Sequence, residues 1–372
     1  MPTLADTLAD IDRALPGPVL ALRDGVTPER VAAALAALHA DGRRDDLLRI
    51  ADAIAWHDPD AFVAAVLPGA EALGVEVRAS VWRPTFERAD LSIGVADEPG
   101  ARVVVSTPRG MTALCALDRE QRAAIVDLEL LSEAQDDAVV PAGTWFDGIH
   151  VLDVGRLPVE RAAELLLLCP SVTCYCGAAT TRDVCDALAT TMVRDVFLGG
   201  VDDDALGRLA ALPRLEQLYI SGSQIGRAGL AALGRAARLR ELQVSRCGLT
   251  DDAVVTLAAC RGLERLSVAG NPFGDRAGVA LATLDRLVEL DLSETSVGDA
   301  TAIALAALPV LAELDLAETA VDVAGVRALA GAPALERLGL AWHVNADVRE
   351  AAETLLRDVV RWSDPHHGGG AL

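Results

Sequence analysis

Four of the seven cysteines lie close together, Cys169, Cys174, Cys176 and Cys185, spaced C-x4-C-x-C-x8-C. Thiolates at short spacings ligate zinc and iron–sulfur centres, so a metal site is the first chemistry to weigh here. Against it, Cys169 and Cys174 fall in inward apolar slots of a repeating pattern, and Cys185 falls on the inner side of a predicted helix. Free cysteine is a small hydrophobe that suits such positions. Cys174 and Cys176 are expected to point to different sides of their strand, and the cluster is read as packing, with no metal and no cofactor. Cys247 and Cys260 recur in structural slots in the same way.

Histidine offers little more. His39 and His57 sit near predicted helix ends, His150 and His343 at opposite ends of the repeats, and His366–His367 in the tail. No G-x-S-x-G, G-x-G-x-x-G or H-E-x-x-H occurs. Every basic side chain apart from histidine is arginine; without lysine there is no Schiff-base nucleophile and no P-loop. Catalysis, if present, is confined to residues 1–148, where Cys115, His57 and the carboxylates are the unassigned candidates. No catalytic residue is assigned.

The elements that would position any site come from a repeat. Leucine opens a unit at Leu215, Leu239, Leu263, Leu287, Leu311 and Leu335, a 24-residue step without insertions. Each opens alike: LEQLYI, LRELQV, LERLSV, LVELDL, LAELDL, LERLGL. The alternation near the end of L-x-x-L-x-L makes a short strand with one face inward. A small hydrogen-bonding residue follows (Ser223, Cys247, Asn271, Thr295, Thr319), suited to holding the backbone as it turns away. The second half of each unit is rich in alanine and leucine at helical spacing. No unit can bury its own apolar stripe, so neighbours must stack, strands in one parallel sheet and helices outside.

The L-x-x-L-x-L-x-x-[N/C/T/S]-x-L match in five consecutive units resembles the leucine-rich repeat family. The run LTDDAVVTLAACRGLERLSV is similar to its cysteine-containing, ribonuclease-inhibitor-like class, and the threonine slots and GDA/VAG turns to bacterial variants. The resemblance implies a curved α/β solenoid that binds other proteins on its concave strand face.

Less regular units precede the block: IHVLDV with PVERAAELLLL, then Cys169–Met192, then Val193–Arg214, giving about nine from Ile149 to His343. Residues between the inward leucines face outward. Tyr175, Phe197, Tyr219 and Gln243 are placed on that outward face, as are the carboxylates Glu289, Asp291, Glu313 and Asp315, with Glu294 and Glu318 beside them. The aromatics would form a contact patch, and the carboxylates would serve solubility or select a basic segment.

The expected organisation is an N-terminal α+β domain at 1–148, the solenoid at 149–345, a capping helix at 346–362 and a disordered tail at 363–372. The first 74 residues read as short helices, among them one opened by Thr27-Pro28-Glu29. Strands are expected at 75–82, 91–96 and 101–106, with a turn at Glu98–Pro99–Gly100, and a helix at Asp118–Ala134 capped by its aspartate. This region matches no recognisable family. The formal charge of −22 disfavours nucleic acid and anionic membrane surfaces as partners. With no apolar block for a span or leader, the cytoplasm is expected. Two functions fit: a non-enzymatic module gripping a protein or peptide, one with a basic segment included, or an enzyme or effector whose N-terminal domain does chemistry while the repeats choose the substrate.

Overall fold

A computed structural model describes residues 4–10, 15–66, 76–79, 84–88, 91–95, 101–105, 108–130, 140 and 144–363. Two compact units divide the chain: Met1–Gly177 with Thr190–Met192, and Ala178–Ala189 with Val193–Leu372. No helix of the described residues is long and apolar enough to cross a membrane.

The first unit opens with helices α1 (Leu4–Asp10), α2 (Gly17–Leu20), α3 (Pro28–Ala40), α4 (Arg44–His57) and α5 (Pro59–Val66). Thr27 caps α3, its hydroxyl accepting from the Arg30 amide, and Pro28 takes the first turn, where its missing N–H costs nothing. Leu38 on α3 and Leu47, Ile50 and Ile54 on α4 are at most 1% exposed, one apolar stripe against another.

Strands β1 (Glu76–Ala79), β2 (Pro84–Arg88), β3 (Leu91–Val95) and β4 (Ala101–Val105) pair antiparallel in order. No strand is expected at β2, which opens on Pro84 and closes on Glu87–Arg88; proline is tolerated at a strand's first residue. The turn at Glu98–Pro99–Gly100 and the tail from 364 lie outside the described residues.

After α6 (Pro108–Ala116) comes a correction. The helix expected over Asp118–Ala134 is α7 (Arg119–Ala123) alone, and β5 (Ile125–Leu130) follows, parallel to β4. Asp118 does cap α7 in a full capping box with Gln121. IVDLEL then alternates, burying Ile125, Leu128 and Leu130, and sheet pairing overrides the helix propensity of its leucines and glutamate. Parallel β6 (Val151–Asp153), α8 (Val159–Leu166) and β7 (Cys174–Gly177) complete the unit.

The second unit is an α/β solenoid. Its strands are β8 (Asp195–Gly199), β9 (Gln217–Ser221), β10 (Glu241–Ser245), β11 (Arg265–Ser267), β12 (Glu289–Asp291), β13 (Glu313–Asp315) and β14 (Arg337–Ala341), each parallel to the next. Between them run α9 (Arg182–Leu188), which precedes β8, then α10 (Asp203–Leu209), α11 (Arg227–Ala232), α12 (Asp251–Val254), α13 (Asp275–Leu281), α14 (Asp299–Leu305) and α15 (Val323–Leu329). The inward leucines Leu218, Leu242, Leu266, Leu290 and Leu314 are no more than 2% exposed.

Two polar devices tie neighbouring coils. At the small hydrogen-bonding slot, Asn271, 1% exposed, accepts from the amides of Cys247 (2.9 Å) and Leu249 (3.0 Å) and donates to the carbonyls of Val244 and Val268. Thr295 and Thr319 occupy the same slot but bond within their own coil, donating to Leu292 and Leu316. The second device is an aspartate in the first turn of a helix that bonds the N-terminus of the next. Asp251 accepts from Gly274 and Ala277, Asp275 from Gly298 and Thr301, and Asp299 from Asp322 and Gly325.

The C-terminal end differs from expectation. The helix expected over 346–362 is α16 (Ala346–Leu355), and the chain then returns to the sheet as β15 (Val360–Ser363), parallel to β14. The β-branched pair Val359–Val360 and Trp362 suit a pleated surface better than a helix. Ser363, expected in the tail, ends this strand.

Candidate functional site

In the second unit the strand register builds one outward face. Residues Asp195, Gln217, Glu241, Arg265, Glu289, Glu313 and Arg337 lie opposite one another in succession, and so do Phe197, Tyr219, Gln243, Ser267, Asp291, Asp315 and Gly339. The intervening leucines go to the core, because strand side chains alternate.

Phe197 and Tyr219 stack with ring centroids 4.4 Å apart and planes 16° from parallel. Tyr219 is held at its far end: its hydroxyl donates to Glu241, which also accepts from Arg265 Nε at 2.6 Å. The hydrogen bond to Glu241 is the first cause holding Arg265 above its ordinary range. Gln243 lies beside Tyr219 in register. A groove of about 350 Å³ follows, lined by Tyr219, Gln243, Arg265, Ser267, Glu289 and Asp291 among others.

Beyond it, Glu289 lies opposite Glu313 and Asp291 opposite Asp315. Ser267 donates to Asp291 at 2.9 Å, and the Ser293 amide and hydroxyl donate at 2.9 and 2.7 Å. Asp315 accepts from the Ala317 amide at 2.8 Å. Burial first, and the charge of Asp291 second, push the Asp315 carboxyl above its ordinary range despite that amide. Glu313 is ion-paired with Arg337. A second groove, about 640 Å³, runs past Glu289, Glu313, Asp315, Arg337 and Arg361. Asp315 lies over Gly339, where a Cβ would stand 2.5 Å from its carboxylate. The acidic ladder is thus partly met by arginine. Arg337 falls 24 residues after Glu313, and one more step of the register would have found it.

Tyr175 is the correction. It was expected beside Phe197 and Tyr219 on the open face, yet it is fully buried in the first unit. The unit there opens at Val172, not Cys169. The amides of Thr173 and Cys174 both donate to His150, just as those of Glu216 and Gln217 both donate to Arg194 in a regular unit. A shift of three residues reverses which side chains face in. Tyr175 takes the slot of an inward leucine, and Gly177 leaves the room its ring fills, since a Cβ on Gly177 would lie 2.9 Å from the Tyr175 hydroxyl. The same shift moves Cys174 from an inward slot to the outward face, and Cys176 is on that face too, not on the opposite side as expected. Two residues apart on one strand, they share a side.

Among the described residues no group of three or more His, Cys, Asp or Glu side chains is arranged to hold a metal.

A family model described as Leucine Rich repeat matches residues 238–258 and 259–282. No curated protein matches the chain. Among solved structures, an internalin (inlF) from Listeria monocytogenes is similar at 18% identity and a TM-score of 0.41. That match covers 60% of this chain and 55% of the internalin, so it spans about half the internalin's length. The two matched repeats pair in the same parallel register as the coils on either side, and the fold of the second unit is a leucine-rich repeat solenoid.

Proposed function

We propose that this chain is a non-enzymatic recognition module, and that the outward strand face of its second unit grips a protein or peptide. Leucine-rich repeats support a protein-interaction role in general. The observation that carries the finer reading is the stacked pair Phe197–Tyr219 on an open sheet face, with Tyr219 fixed by Glu241. Rigid aromatic area with a polar tip is what binding hot spots are made of.

The face changes character along the array. It runs from aromatic (Phe197, Tyr219) through amide and hydroxyl (Gln243, Ser267) to carboxylate (Asp291, Asp315). Three strand spacings separate Tyr219 from Asp291, roughly 14 Å at about 4.8 Å each. An extended peptide covers that in about four residues at roughly 3.4 Å per residue. The partner segment that fits carries an apolar residue against the aromatic pair and an arginine or lysine about four positions away. Contact at the aromatic end supplies affinity; the carboxylates with Glu289 and Glu313 set partner choice and on-rate.

The test is binding of the full chain to a synthetic peptide library in which the spacing between one aromatic or leucine and one arginine is varied. Peptides at the four-residue spacing are expected to bind best. The double variant Phe197→Ala, Tyr219→Ala should weaken them by about 2 kcal/mol, roughly 30-fold. Equal affinity for parent and double variant would remove the aromatic pair from the site.

A further inference from the structure

Cys174 and Cys176 stand together on the outward face of β7, opposite Val151 and Asp153 of β6. Both thiols are partly exposed, whereas Cys169, Cys185, Cys247 and Cys260 are buried. The two residues stand two apart along one side of β7. On the neighbouring strands the same face carries Asp153 and Asp127; Arg102 lies 3.5 Å from Asp127 and 2.8 Å from Glu129. Cysteines that merely fill the core would point inward. These two occupy the positions that Gln217 and Tyr219 hold in a regular repeat.

We propose that Cys174 and Cys176 form a two-thiolate site for a soft monovalent cation, copper(I). Soft thiolates select copper(I) over harder ions. The pair offers two thiolate donors on one side of the strand. Binding replaces the two thiol protons with two sulfur–copper bonds; both protons go to solvent and no electron is transferred. Metal–sulfur bonds of roughly 2.3 Å would hold the sulfurs at most about 4.6 Å apart, within reach of two side chains leaving one side of a strand. A direct disulfide fits less well. Extended residues two apart have Cα atoms roughly 6.7 Å from each other, at the upper limit of what a disulfide spans. A cation bound by the two sulfurs sits opposite Asp153, whose negative charge favours it.

The experiment titrates the reduced full chain, without oxygen, with copper(I) held by the chromophoric chelator bicinchoninate, and reads loss of the chelator's colour together with near-ultraviolet thiolate-to-copper absorption. The parent chain is expected to withdraw one equivalent and to gain the absorption. Cys174→Ser with Cys176→Ser should lose both signals, and Cys115→Ser, changing another partly exposed thiol, should keep them. Unchanged circular dichroism and urea midpoint would show that the double variant is folded. Withdrawal by the folded double variant equal to the parent's, or none by the parent, overturns the site.

Discussion

Arg246 and Glu294 are joined at 2.6 Å across two coils of the solenoid, over the intervening Gly270. All three stand at one turn position and have left-handed backbone, with φ of 54°, 55° and 66°. The Arg246 stem lies across Gly270, where a Cβ would meet its Cγ at 2.6 Å. Gly222 holds the same turn at φ 57° with open space around it. Gly222→Ala is therefore expected to cost roughly 1 kcal/mol from backbone strain alone. Gly270→Ala should cost more, since it must also displace Arg246. Urea denaturation of both variants with and without Arg246→Ala checks this: removing Arg246 should erase the difference.

Asn271 satisfies two buried amides and donates to buried carbonyls. Asn271→Ala is expected to destabilise by about 2–4 kcal/mol, because Cys247 and Leu249 lose their acceptor out of reach of water. Thr319→Ala, at a half-buried slot with one donated bond, should cost about 1 kcal/mol. Equal losses in urea unfolding would contradict the assignment.

The two aspartates Asp275 and Asp315 should give opposite pH signatures. Burial raises the Asp275 carboxyl, but hydrogen bonds from the Thr301 hydroxyl and the Gly298 and Thr301 amides outweigh it and hold it below the ordinary range. Its stabilisation is complete above the unfolded carboxylate value and lost as pH falls through the lower folded one. Asp315, held high, does the reverse: its folded form binds a proton more readily, so stability is lost as pH rises through that raised value. Asp275→Asn should flatten the acid limb of a stability–pH curve. Asp315→Asn should raise stability at neutral pH by up to about 1 kcal/mol, relieving Asp291 across the strand pair.

Asp291→Asn with Asp315→Asn should also flatten the salt dependence of partner association, measured by stopped flow at several ionic strengths. A slope identical to the parent's would assign these carboxylates to solubility.

The regular coils were legible because their period is strict: the leucine step placed Phe197, Tyr219, Gln243, Glu289, Asp291, Glu313 and Asp315 on one face from residue types alone. Legibility failed where the step changes. From Ile149 to Val172 it is 23 residues and from Val172 to Val193 it is 21, and Cys169 mimics an opening leucine three places early. Tyr175 and Cys174 change faces for that reason, whereas Cys176 shares the side of Cys174 in any register, because strand side chains alternate with period two. In 118–130 a sound N-cap led to a helix that was read too long, because cap chemistry marks where a helix starts and says nothing of its length. The aspartates at 251, 275 and 299 recur at the period, and that repetition was the signal for their bonds to the next coil.

That chain of aspartates has a gap. Asp203 reaches the Gly226 amide, but the corresponding position of the next coil is Arg227, and the helix that follows, opened by Thr250, has no side-chain cap. On the helical side the coils at Arg227 and Asp251 lack the aspartate tie that Asp251, Asp275 and Asp299 give the coils after them, so amide exchange at the start of α12 should be faster than at the starts of α13, α14 and α15. The slack is confined to the helical side, since β9 and β10 stay paired over five residues and Tyr219 bonds Glu241 across them, and Arg227→Asp should remove it.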